Sequence, residues 1–149
     1  YYNYNRSTVM AKSLFPQEML SNASGELSPD SIATKLSYFE LQLHNLHWGT
    51  KSYAEHQALG GLYDAVFDFK DDIIEKIMGY NNGMRAKIGN PGQLKDYSPG
   101  ISSMVVSELI SFAKQLENYG ASNNMPDIEN VAQALSGTAA KTKYLLTLS

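Results

Sequence analysis

The sequence contains no cysteine. Disulfides, thiolate zinc sites, iron–sulfur clusters and cysteine nucleophiles are thereby excluded, while the compartment is left open by this criterion. No apolar run approaches the roughly 18 residues of a membrane span. The N-terminus, YYNYNRSTVMAKSLF, has no apolar core of signal-peptide type. The cytoplasm is therefore the expected location. The chain does not begin with methionine, as expected of a processed protein or a fragment. Positive charge is scarce: 12 Lys and Arg stand against 15 Asp and Glu, for a net charge of -3. No basic field or patch is available to attract nucleic acid, and none is expected as a partner. There is no GxSxG nucleophile and no Gly-rich phosphate loop after a strand, so hydrolase and nucleotide-binding readings find no support. Histidine is limited to three residues and tryptophan to one.

What is present is helical pattern. At 149 residues, one domain with a single core is the natural expectation. Residues 1–28 read as a polar, tyrosine-rich arm followed by a short helix over 8–20 and a turn-rich linker. Residues 29–149 read as one helical domain. Ser28-Pro29-Asp30 combines a cap, a proline at the first helical position and an acid in the first turn, so it starts a helix. That helix runs to about Trp48 on the stripe Ile32, Leu36, Phe39, Leu43, Leu46, with Gly49 as its C-cap. A second runs from Tyr53 to Tyr80 on His56, Leu59, Gly60, Tyr63, Phe67, Ile74, Met78. Residues 81–100 are too long for a tight turn between helices and read as a crossover along the bundle. A third helix follows over 102–119 on Val105, Leu109, Phe112, Leu116, capped by Gly120. Pro126-Asp127 opens a fourth that carries Ile128, Val131, Leu135, Ala139 and Leu146. No segment alternates as a strand would. Two helices, one long crossover and two more helices give an all-α, ferritin-like four-helix bundle, with the short N-terminal helix in addition.

The chemistry-bearing residues gather in LHNLHWGTKSYAEHQALGGLYDAVFDFKDDIIE, residues 43–75. His44 and His47 lie one turn apart, and His47 closes one helix as His56 opens the next. Asp71 and Glu75 are i and i+4, so both carboxylates leave one helix face. His56 and Asp71 are separated by roughly 22 Å of helix axis, so histidines and carboxylates cannot meet within one chain. A second copy, antiparallel about a two-fold axis near Asp64 and Ala65, would set His47 and His56 of one chain opposite Asp71 and Glu75 of the other, twice. Ala58, Gly60, Gly61 and Ala65 would permit the close approach. Asp64, Asp68 and Asp72 are expected to face solvent, with Asp64 also a substitute ligand near the axis. Glu40 and His44 would form a metal site inside the bundle only if two other helices each supplied a Glu-x-x-His pair, and they do not. The plain reading remains beside the metal reading: histidines hydrogen-bonded at a corner, acids on a solvated face, and Trp48 packed in a core or an interface.

The segments LHNLHW at 43–48, H---GGLYD at 56–64 and DD--E at 71–75 resemble the ferroxidase signature of the Dps proteins, the miniferritins that protect DNA during starvation. The resemblance is specific over about residues 35–80. It implies a hollow dodecamer built from two-fold dimers. Iron would be held between subunits by His47, His56, Asp71 and Glu75, with His44 and Asp64 as further candidates. Fe(II) would be oxidised by peroxide or oxygen and stored as Fe(III) oxide. By the same resemblance Trp48 would intercept radicals. Mixed imidazole and carboxylate ligands suit redox-active iron. The sequence departs from the family in three places. Gly60 stands where an aspartate ligand is usual, the loop between His47 and His56 is shorter, and the basic residues of the first 20 are only Arg6 and Lys12. The competing expectation is a ferritin-like structural or assembly module without a metal centre. Replacing Gly60 by aspartate is expected to separate the two.

Overall fold

Local capping fixes where each helix begins. In the computed structural model, which describes residues 26–149, Ser28 and Ser31 bond each other's backbone N–H groups at the start of α1 (Pro29–Gly49). The Ser52 hydroxyl accepts from the Glu55 N–H at the start of α2 (Tyr53–Tyr80). α3 (Ile101–Ser122) follows a left-handed Gly100, and α4 (Pro126–Leu146) opens on proline. The expected arm and the short helix over 8–20 lie outside the described residues. The fold is a four-helix bundle with a crossover, and there is no strand among the described residues. None of the described helices is long and apolar enough to cross a membrane.

Residues 81–100 run along α1 and are strapped to it by side chains. Asp30 and Thr34 accept from the backbone N–H groups of Lys87 and Gly89. Further along, Gln42 takes the Lys95 N–H at 2.6 Å and donates to the Lys95 carbonyl, to which Asn45 also donates. At the end of this path Tyr97 lies against Gly49, where an added Cβ would sit 2.6 Å from the Tyr97 Cβ. Gly49 is thus the last helical residue and a point of close approach, and Thr50 is the cap. The crossover returns the chain to the end where α1 and α2 join, so α3 runs parallel to α2. Gln42 is fully buried yet satisfied by this backbone, as a buried amide must be.

The expected stripes of α1 and α3 are buried as read. On α2 Leu59 is buried as expected, but the rest of the core stripe is Leu62, Val66, Ile73 and Ile77, one position before the expected Tyr63, Phe67, Ile74 and Met78. Tyr63 is half-buried and Phe67 is exposed. α2 carries apolar residues on two adjacent stripes, and period alone does not rank them. Gly120 lies inside α3 rather than beyond it. Its missing side chain lets α4 approach, with the Glu129 N 2.8 Å from where a Cβ would stand.

Two outcomes follow for stability. Gly120→Ala is expected to destabilise by about 1–3 kcal/mol through overpacking against backbone. Gly137→Ala, with open space around its site, is expected to stabilise by about 0.5–1 kcal/mol. Urea unfolding of both variants checks the contrast; equal effects would contradict the packing described. The second outcome concerns Tyr38, whose phenol is pushed up to about 12 by burial, with Glu108 adding to it. An unfolded tyrosine ionises near 10, so the unfolded state releases its proton first. This contribution is full below about pH 10 and is lost as pH rises toward 12. Lys35, lowered by burial, acts in the opposite sense. Comparing Tm of the wild type and Tyr38→Phe across that range isolates the phenol, and the wild type should lose Tm relative to the variant as pH rises.

Candidate functional site

Only Thr50, Lys51 and Ser52 connect α1 to α2. The last four carbonyls of a helix have no partner within it. Thr50 N–H takes the Leu46 carbonyl, and the His47 carbonyl receives Nδ1–H of His56 at 2.8 Å. In return, Nδ1 of His47 donates to the His56 carbonyl at 2.6 Å. A carbonyl only accepts, so each ring carries its proton on Nδ1 and keeps a lone pair on Nε2 when neutral. The two imidazoles stack with centroids 3.6 Å apart and 19° between planes.

Gly60 lies one turn beyond His56, and the His47 ring occupies the space beside it. A Cβ at position 60 would stand 3.0 Å from Cε1 and 3.2 Å from Nδ1 of that ring. Glycine here admits the histidine; an aspartate would press on it. Glu55 completes the corner. Its carboxylate accepts from Thr50 Oγ1 at 2.9 Å, Tyr97 OH at 3.0 Å and Ser102 Oγ. It thereby ties the α1–α2 link to the end of the crossover and the first turn of α3. The Ser52-x-x-Glu55 spacing marks it as a helix-start residue, and nothing local signals its reach to Tyr97 and Ser102.

Beside the corner, the rings form a continuous seam. His44 lies between Trp48 and Tyr63, with both centroid distances 4.1 Å. Tyr63 also meets His47 edge-on at 5.2 Å. The Lys70 ammonium bridges Glu40 and the face of Phe67. Glu40 and His44 are therefore committed to α2 side chains rather than directed together into the bundle. Trp48, Phe67 and Leu41 remain 71%, 53% and 44% exposed along this side.

The structure brings His47 and His56 together, with His44 beside them. Asp64, Asp71 and Glu75 stand exposed further along α2, as does Asp72, which pairs with Lys76 at 2.8 Å. Among the described residues of one chain, no three His, Cys, Asp or Glu side chains gather as a metal-binding group. A site using all four expected ligands requires a second copy, as the helix length already demands.

Helix order and crossover make this a bundle of generic ferritin-like architecture. The chain belongs to a family of unknown function (DUF5856), whose family model matches residues 47–146, from the corner histidine through the end of α4. No curated protein and no solved structure matches it.

If the two histidines act as a clasp, their contributions are coupled. His56→Ala is expected to cost about 1–3 kcal/mol, since it strands the His47 carbonyl at the end of α1, and His47→Ala about 0.5–1.5 kcal/mol, since the His56 carbonyl loses one donor but keeps its helical one. A double-mutant cycle by chemical denaturation should show a coupling of about 0.5 kcal/mol or more. Strict additivity would mean that the rings do not act as a unit.

Proposed function

We propose that this chain is a ferritin-like structural module that self-assembles through the outer face of α1 and α2, with the histidine corner serving as its clasp. The observation that carries this reading is the position of His47. Its ring fills the space beside Gly60 where a further carboxylate would stand, and its Nδ1 is spent on the His56 carbonyl. The face beside it carries Leu41, Trp48 and Phe67 exposed in one seam, and exposed apolar patches of this kind mark interaction sites. Charge on α2 is also divided. Asp68, Asp71, Asp72 and Glu75 lie in the C-terminal half with Lys70 and Lys76, Asp64 lies near the middle, and the N-terminal half presents neutral and aromatic residues with His56, its one acid Glu55 being bound at the corner. Antiparallel pairing about a two-fold axis sets the acidic part of one copy against the other's neutral part.

A Dps-like reading of the same dimer rests on one further feature. Histidines that bind metal usually donate their other N–H to a carbonyl or carboxylate, and both rings here do so. In that reading Fe(II) is the substrate, taken between Nε2 of His47 and His56 and the Asp71 and Glu75 carboxylates of a second copy, with His44 and Asp64 nearby. A larger closed assembly would be its storage form. Gly60→Asp would then have to displace His47 before it could add a ligand.

Sedimentation velocity with anaerobic Fe(II) dialysis separates these readings. The structural module is expected to associate without iron, to dissociate in Phe67→Asp with its helix content kept, and to retain no stoichiometric Fe(II). A monomeric wild type would sink the assembly reading. Stoichiometric Fe(II) that is lost in Asp71→Asn would favour the Dps-like one.

A further inference from the structure

α1 and α3 touch only sparsely, and a slot of about 420 Å³ opens between their described residues. Small-molecule sites run from roughly 300 to 1,000 Å³ and combine an apolar lining with a few placed polar groups. This slot has that make-up. Phe39 and Phe112 form its floor, with ring centroids 5.8 Å apart and planes tilted by 33°. Tyr38 meets Phe39 edge-on at 5.3 Å, and the exposed Met104 lies at one end. Toward the other end Lys35 holds its ammonium 5.5 Å from the centre of the Phe112 ring. Ser111 and Gln115, one turn apart on α3, line that end with it.

The charges in the slot are unequal. Glu108 is bonded to Lys95 of the crossover at 3.2 Å. Lys35 makes no ion pair among the described residues. Burial lowers its pKa, and Glu108 only partly offsets this. A half-buried cation gains more from a bound anion than an exposed one does. His44 of the outer seam is nine residues along α1 from Lys35, or about two and a half turns. The slot therefore opens on the opposite side of α1 and is independent of the assembly face.

We propose that this slot binds a small aromatic carboxylate, with the carboxylate at Lys35 and the aromatic body over Phe39 and Phe112 toward Met104. The aromatic class follows from the floor. A further ring packs edge-on or offset against the two phenylalanines, and a methionine thioether favours a ring edge. The single negative charge follows from the balance in the slot. Lys35 is the cation left to be met, and Ser111 and Gln115 offer neutral donors at the same end. A cationic ligand would be repelled by Lys35, and the Glu108 carboxylate is already engaged.

Titration of the full chain with naphthylacetate, followed by nitrogen–proton NMR, tests the site. Saturable shifts are expected at Lys35, Phe39, Met104 and Phe112, with a Kd of about 1 mM or tighter. The matching amide and amine, naphthylacetamide and naphthylmethylamine, should each bind about tenfold or more weakly. Lys35→Gln should cost about tenfold in affinity for the carboxylate, while Lys35→Arg, which keeps the charge, should stay within about threefold. Ser107→Trp, which fills the slot from α3, should abolish binding; the Lys35 variants keep the test decisive if that one misfolds. Three results overturn the proposal: no saturable shifts at the slot residues, equal binding of the amide or amine, or an affinity indifferent to Lys35→Gln.

Discussion

The reciprocal hydrogen bonds between His47 and His56 hold together the end of one helix and the start of the next across three residues. A corner this short leaves carbonyls without helical partners, and burying them unpaired would cost about 1–3 kcal/mol each. The His56 imidazole supplies the missing donor to the His47 carbonyl, and the His47 imidazole adds a second donor to the His56 carbonyl. The stacked rings also need room, and Gly60 provides it one turn along α2. Glu55 extends the arrangement outward, because the hydroxyls it accepts from belong to the link, the crossover and α3. The angle between α1 and α2, the end point of the crossover and the placement of α3 therefore share one small set of polar contacts.

The same corner shapes the outer face. With His47 turned inward against Gly60, His44 is left to stack between Trp48 and Tyr63, and the seam continues to Phe67 and Lys70. Glu40 and His44 are engaged with α2 side chains, and Nδ1 of His47 and of His56 with backbone carbonyls. Asp68, Asp71, Asp72 and Glu75 stand apart from them toward the other end of α2. The outer face of α1 and α2 is aromatic toward the corner and acidic toward its far end, and the proposed two-fold pairing rests on that division.

Much of this was legible in the residues. Ser28-Pro29-Asp30 and Pro126-Asp127 mark real helix starts, and the long segment 81–100 is the crossover that its length implies. The α1 and α3 stripes are the core. The α2 stripe was not legible, because Tyr63 and Phe67 repeat at the same period as Leu62 and Val66, and only packing decides which set faces inward. Gly49 ends α1 as read and Gly120 lies inside α3, and both are also places where another segment comes close. Gly60 reads as a lost carboxylate, and the structure shows a ring beside it. These cases share a cause: a glycine's neighbours through space do not appear in its neighbours along the chain.

The clasp is tested most directly by long-range nitrogen–proton NMR of the histidine rings at pH 8, recorded before and after anaerobic addition of one equivalent of Fe(II) per chain. The account predicts that His47 and His56 both carry the proton on Nδ1 and that their signals persist when iron is added. An Nε2–H tautomer at either ring would contradict the reciprocal hydrogen bonds. Selective loss of those two signals on adding Fe(II) would instead show that the corner holds iron.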